Sequence, residues 1–147
     1  MARSIVLVSA GLAALLVATA GAAWLIVGHR AESAQIAAGR ELYSVHCASC
    51  HGTDLQGQPD WQTRSPRGRL PAPPHDASGH TWHHGDDQLF TIVKKGVSAI
   101  VPNYESDMPA FEGVLSDDEI RAVLDYIKST WPDRERALQA RRSPARN

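Results

Sequence analysis

The sequence predicts an all-α domain of three to five helices, preceded by an N-terminal helix long enough to cross a membrane. Three observations carry this expectation. Downstream of residue 34, apolar residues recur at intervals of three and four in separate segments, the period of a helix with one buried face. Ser4 to Gly28 carry no charge, and these 25 residues at 1.5 Å rise span about 37 Å, more than a hydrocarbon core of about 30 Å. The third observation is a shortage of core-forming side chains. Aromatics make up 6% of the 147 residues, and much of the 43% hydrophobic content sits in the N-terminal run. A folded part of about a hundred residues with this composition is marginal alone, so a large buried apolar group would supply the missing core.

Residues 1–28 read as a transmembrane anchor, with Arg3 inside and Trp24 near the outer interface. The competing reading is a signal peptide, with Ile5 to Val17 as its apolar region and Ala18-Thr19-Ala20 as the cleavage site. Cleavage there would leave Trp24-Leu25-Ile26-Val27 beside an exposed terminus, which favours the anchor. Both readings send the domain across the membrane. Residues 29–34 read as a linker, 35–132 as the folded domain and 133–147 as an Arg-rich disordered tail. The formal net charge is −1, with nine Lys and Arg against fourteen Asp and Glu over residues 29–132, and five Arg against two acids from Asp133 onward. Neither block is the footprint of a nucleic-acid binder.

In the domain, Ala34 to Val45 reads as a first helix with Ile36, Gly39, Leu42 and Tyr43 on one face. Gly39 costs about 1 kcal/mol relative to alanine in mid-helix, which points to a packing reason for it. Gly52 to Gly85 follows as a long stretch rich in Gly, Pro, Asp and His. A loop of this length in a small domain is expected to be functional or to wrap something. Asp86 or Asp87 can cap a short helix with Leu89, Ile92 and Val93 on its apolar face, closed by Lys94, Lys95 and Gly96. Gly96 to Gly113 is a loop holding Asn103, Tyr104, Met108, Pro109 and Phe111. Ser116-Asp117-Asp118-Glu119 is a capping box. It opens a helix with Ile120, Val123, Leu124 and Ile127 on one stripe, running to Trp131 and stopped by Pro132.

The only two cysteines stand together in Cys47-Ala48-Ser49-Cys50-His51. Two thiols three positions apart can add to the two vinyl groups on one edge of a porphyrin, and the next residue, a histidine, then lies under the iron. This is the pattern of covalent c-type haem attachment. Structural zinc would need two further ligands, for which only His75, His80, His83 or His84 are available. A thioredoxin-like pair would need a βαβ context, and a disulfide here would close too short a loop to constrain much.

Two other groups bear on the chemistry. Pro71-Ala72-Pro73-Pro74 removes three backbone donors and leaves carbonyls free to accept from the ring N–H of His51, a bond that orients a ligating histidine. Apart from the initiator, Met108 is the only methionine. Beside a haem motif, a thioether in a polar loop next to proline is simpler as an iron ligand than as core filler. His75, His80, His83 and His84, with Trp82 among them, read in two ways: a second metal site for copper, nickel or zinc, or loop histidines beside a tryptophan that packs on the haem or bonds a propionate.

With these motifs in place, residues 35 to 132 resemble a class I c-type cytochrome of the bacterial membrane-anchored kind. The resemblance rests on Gly39 and Tyr43 before Cys47-Ala48-Ser49-Cys50-His51-Gly52, on Asp107-Met108-Pro109-Ala110-Phe111, and on the Ser116 to Trp131 helix with Tyr126. It implies one haem c, with His51 as proximal and Met108 as distal ligand. It also implies that the first and last helices cross, with Gly39 and Tyr43 near Leu124 and Tyr126. The implied function is that of a one-electron carrier rather than an enzyme, held at the bacterial cytoplasmic membrane with its haem domain in the periplasm or outside the cell. Its partners would be redox proteins such as a quinol-oxidising complex, a terminal oxidase or a periplasmic reductase. The histidine-rich 75–84 stretch departs from the general pattern. It keeps two rivals open, a copper-binding redox protein and a haem enzyme or sensor with an open sixth iron position.

Overall fold

The computed structural model describes residues 2–143, with the side chains of residues 2–18 and 20 outside the description. Two compact units divide the chain at Ala34 and Gln35. Helix α1 (Ala2–His46) supplies the first unit and opens the second. In the first unit Trp24, Leu25, Ile26 and Val27 are exposed, Trp24 at 77%. The expected membrane-spanning segment falls largely on side chains outside the described residues. Among the described residues no helix is long and apolar enough to cross a membrane. The expected linker over residues 29–34 is instead helical. His29-Arg30-Ala31-Glu32-Ser33-Ala34 holds no helix breaker, and Ser33 Oγ donates to the His29 carbonyl at 2.9 Å, a bond available only in helical geometry.

The second unit is helical, as expected, with α2 (Ala48–His51), α3 (Asp86–Lys95), α4 (Asp117–Ser129) and α5 (Asp133–Ala140). Single 3₁₀ turns lie at Thr81–His83 and Val97–Ala99. Apolar side chains gather in two clusters. Tyr43, Leu55, Val123, Ile127 and Trp131 form one, with Cys47, Trp82 and Tyr126 against it; Leu89, Phe111, Leu115, Ile120 and Leu124 form the other, with Phe90, Val93 and Met108 against it. Leu42 packs on both. Helix α4 feeds both because its apolar stripe is wide: Ile120 and Leu124 face one cluster, Val123 and Ile127 the other. Each such side chain contributes about 1.5–3 kcal/mol through burial.

The reason for Gly39 is its contact with α4. A Cβ there would overlap the Ala122 carbonyl oxygen and lie 3.1 Å from Tyr126 Cβ. The helices cross at this point, with the Tyr43 and Tyr126 rings 5.5 Å apart. Gly39→Ala is therefore expected to destabilise the domain by about 1–3 kcal/mol through overpacking against backbone. The overlap outweighs the roughly 1 kcal/mol that alanine gains in helix propensity. Thermal denaturation of the two proteins checks this.

Helix α4 begins with the capping box that the sequence predicts. Ser116 Oγ accepts from the Glu119 N–H at 3.3 Å, and the Glu119 carboxylate accepts from the Ser116 N–H at 2.8 Å. The Ser116 backbone and hydroxyl bonds hold the Glu119 carboxyl below its ordinary value of 4.5. With the folded pKa depressed, this stabilisation is complete above 4.5 and is lost as the pH falls through the folded value. Ser116→Ala should cost about 1 kcal/mol at neutral pH. That difference should shrink in acid, as urea titrations at pH 7 and pH 3 will show.

Three further expectations need correction. Gly85, not Asp86 or Asp87, is the N-cap of α3, and it makes no side-chain cap bond. The Asp86 carboxylate is drawn instead to Lys128 Nζ at 3.2 Å and Gln139 Nε2 at 2.8 Å. Helix α4 stops at Ser129, and Trp131 drops into the core at 2% exposure. The tail expected to be disordered is helical from Asp133 to Ala140. Its polar side chains find partners on the 83–86 turn: Gln139 is buried against Asp86, and the Arg142 guanidinium donates to the His83 carbonyl at 2.8 Å. Without an apolar stripe, its order comes from these tertiary bonds, which periodicity does not register.

Candidate functional site

Helix α1 ends one residue before Cys47, and the chain turns directly into α2. The Cys47 N–H donates to the Tyr43 carbonyl at 2.9 Å, and the Cys47 carbonyl accepts from Cys50 at 3.1 Å and His51 at 2.9 Å. One tight turn thus presents both sulfurs and the imidazole. Cys47 is half-buried, Cys50 is exposed, and both are free thiols. Burial, reinforced by Cys50, pushes the Cys47 thiol up to about 11. The pocket therefore favours an uncharged sulfur, the state a thioether also has. Gly52 ends the turn at φ +82°, and its carbonyl accepts from the Tyr43 hydroxyl at 2.9 Å.

His51 is 8% exposed. Its Nδ1 lies 2.9 Å from the Pro73 carbonyl oxygen. A carbonyl can only accept, so Nδ1 carries the proton and Nε2 keeps its lone pair. Burial lowers the pKa of the ring, opposed by the Pro73 bond, and the neutral imidazole is the metal-binding form. The choice of Pro73 follows from how the loop closes. Gly57 donates to the His51 carbonyl at 2.8 Å, and a Cβ on Gly57 would come within 2.5 Å of Pro74 N. Only glycine lets the two strands of loop lie this close.

Of the four loop histidines, His75 parts from the other three. His75 stacks on His51 with ring centroids 4.0 Å apart. His80 stacks on Trp61 at 5.3 Å and meets the edge of His84 at 5.4 Å. His83 lies against Trp82 at 3.8 Å. Among the described residues no group of three or more His, Cys, Asp or Glu could hold a metal ion.

Met108 is half-buried against the second cluster. Its N–H donates to Ser106 Oγ at 3.1 Å. The end of its loop reaches the Cys47 turn through the edge-on contact of Phe111 with His46, 6.1 Å between centroids. Two residues absent from the sequence-based reading hold the other end. Arg69 pairs with Asp107 and lies 3.7 Å from Glu105, and the Arg64 guanidinium sits over Tyr104 at 5.7 Å. Their opposite charges and ring were the available signal, but a separation of 38 residues between Arg69 and Asp107 hides the pairing from any local pattern.

The residues present fit a haem. Two free thiols and a histidine whose Nε2 keeps its lone pair share one turn. Among the described residues, Trp82 Nε1 is a buried side-chain nitrogen with no hydrogen-bond partner. It is a donor in the long loop, and buried donors require acceptors; a haem propionate would supply one.

Comparison with known proteins points the same way. The family described as cytochrome C oxidase, cbb3-type, subunit III matches residues 34–127. The cbb3-type cytochrome c oxidase subunit CcoP of Rhodobacter capsulatus is 27% identical over 106 residues, covering 71% of this chain and 32% of the relative. Cytochrome c6 of Leptolyngbya boryana is 33% identical over 94 residues, covering 64% of this chain and 91% of the relative. The subunit FixP of Bradyrhizobium sp. is 27% identical over 95 residues, covering 63% of this chain and 27% of the relative. The chain thus spans about a third of the length of the CcoP proteins it matches. No solved structure matches it.

Proposed function

Because this chain belongs to the family of cbb3-type cytochrome c oxidase subunit III and its domain is that of a class I c-type cytochrome, we propose that it is a one-electron carrier with His51 and Met108 on the iron. It carries haem c, with Cys47 and Cys50 as the attaching residues. When bound, this group supplies a reversible one-electron iron couple. The observation that carries the reading is the state of His51: buried, neutral, oriented by Pro73 and directly after two free thiols. The Arg69 pairs with Glu105 and Asp107 hold the Met108 loop. Held by the His51 imidazole and the Met108 thioether, the iron would keep no position for a substrate and would have a raised potential. A carrier is favoured over an enzyme or a gas sensor for that reason.

The relatives that are oxidase subunits support a terminal oxidase as the electron acceptor, with another redox protein as donor. The uncharged N-terminal run supports a tether to the bacterial cytoplasmic membrane, with the haem domain in the periplasm. The optical spectrum of the full-length protein tests the central reading. The expected result is a low-spin spectrum in both oxidation states, a one-electron redox titration and no change on adding carbon monoxide. Rapid carbon monoxide binding to the reduced protein would establish an open sixth position and replace the carrier with an enzyme or sensor.

A further inference from the structure

The His51 imidazole is held along one line by its Nδ1–H bond to Pro73. A single bond of this kind fixes where one edge of the ring points and leaves the plane free to rock about that line. A flat neighbour is needed to fix the plane, and His75 provides it. The two imidazoles lie 4.0 Å apart at an interplanar angle of 22°.

His75 is itself pinned on several sides. Its N–H donates to the Leu55 carbonyl at 2.7 Å, and its carbonyl accepts from Trp131 Nε1 at 2.7 Å. Its Nδ1 is 2.8 Å from Thr81 Oγ1, whose hydroxyl leans on the Pro74 carbonyl at 3.4 Å. The Tyr43 ring meets it edge-on at 6.4 Å and 71°. An ordinary space-filling side chain would need neither the stacked contact nor a hydrogen bond to the ring. Thr81, at 5% exposure, has its hydroxyl committed to this pair, and Trp131 ties the arrangement to the end of α4.

We propose that His75 is a positioning residue that sets the plane of the axial His51 imidazole. The proposal rests on the reading that His51 ligates a haem iron. The orientation of an axial imidazole governs how unpaired spin is distributed over the porphyrin, so the geometry has a spectroscopic signature that packing alone lacks.

The test uses the full-length holo-protein. In the reduced, diamagnetic state the wild type should show nuclear Overhauser contacts between the ring protons of His75 and His51, and their absence overturns the proposal. In the oxidised state the order of the haem-methyl resonances should change in His75→Leu, which fills the space without a ring. It should be kept in His75→Phe, which retains a flat face. An unchanged order in His75→Leu, even with a lower melting temperature, assigns His75 a structural role only and overturns the proposal. So does an equal change in both variants, which would place the effect on the Thr81 bond instead of the stack. Failure of the underlying reading is separate: the wild type itself would then lack a low-spin haem spectrum.

Discussion

Replacing Cys47 and Cys50 together by alanine is expected to leave a chain that carries no haem through denaturing electrophoresis, whereas the wild-type band keeps its haem stain. The two sulfurs are the only cysteines, so the variant has no route to a thioether. The consequence should extend to folding. The apolar side chains of the domain divide into two clusters that share Leu42, and a domain of this size and composition has little stability to spare. A covalently held apolar group stabilises the folded state by adding surface that is buried only when the chain folds around it. Far-UV circular dichroism should accordingly show most of the helix signal of residues 35–143 lost in the double variant. The single variants should retain one thioether and a reduced yield of holo-protein. Persistent stain on the double-variant band would show that attachment runs through another residue.

Met108→Ala should give the second large change. The thioether-to-iron charge-transfer band should vanish, the reduced protein should bind carbon monoxide, and the potential should fall by on the order of 0.1 V or more, within the roughly 0.8 V range that axial ligands command. Stability should fall as well. Met108 packs against Leu89, Phe111, Leu115, Ile120 and Leu124, and truncating methionine in such surroundings costs about 2–5 kcal/mol when the site is fully buried. The lower end applies to a half-buried side chain. A band that survives the substitution, or that the wild type lacks, would transfer the ligand role to a nitrogen, with His80, His83 and His84 as candidates.

How far the sequence could be read depends on the distance over which each feature is encoded. The capping box of Ser116 and Glu119 spans four residues and was legible, as were the apolar stripes of α3 and α4 and the grouping of Cys47, Cys50 and His51. The cap of α3 is just as local, yet residue type points to Asp86 or Asp87 and the structure places Gly85 there. Asp86 is a good capping residue by type, but Lys128 and Gln139, 42 and 53 residues away, compete for its carboxylate. Helix α5 is hidden for the same reason, since Gln139 finds its distant partners on the 83–86 turn.

By itself the sequence determined the covalent chemistry available to the chain, the helices that flank it, and that some carbonyl of the Pro71–Pro74 run could receive the His51 proton. These depend on residue type and short spacing, which a linear reading contains. Tertiary structure decided that the acceptor is Pro73, where the loop folds back so closely that a Cβ on Gly57 would meet Pro73 and Pro74. It also decided that His75 leaves the other histidines to stack on His51 while Trp131, 56 residues away, holds its backbone. Those choices depend on which distant groups meet when the loop folds back, and spacing along the chain carries no record of that.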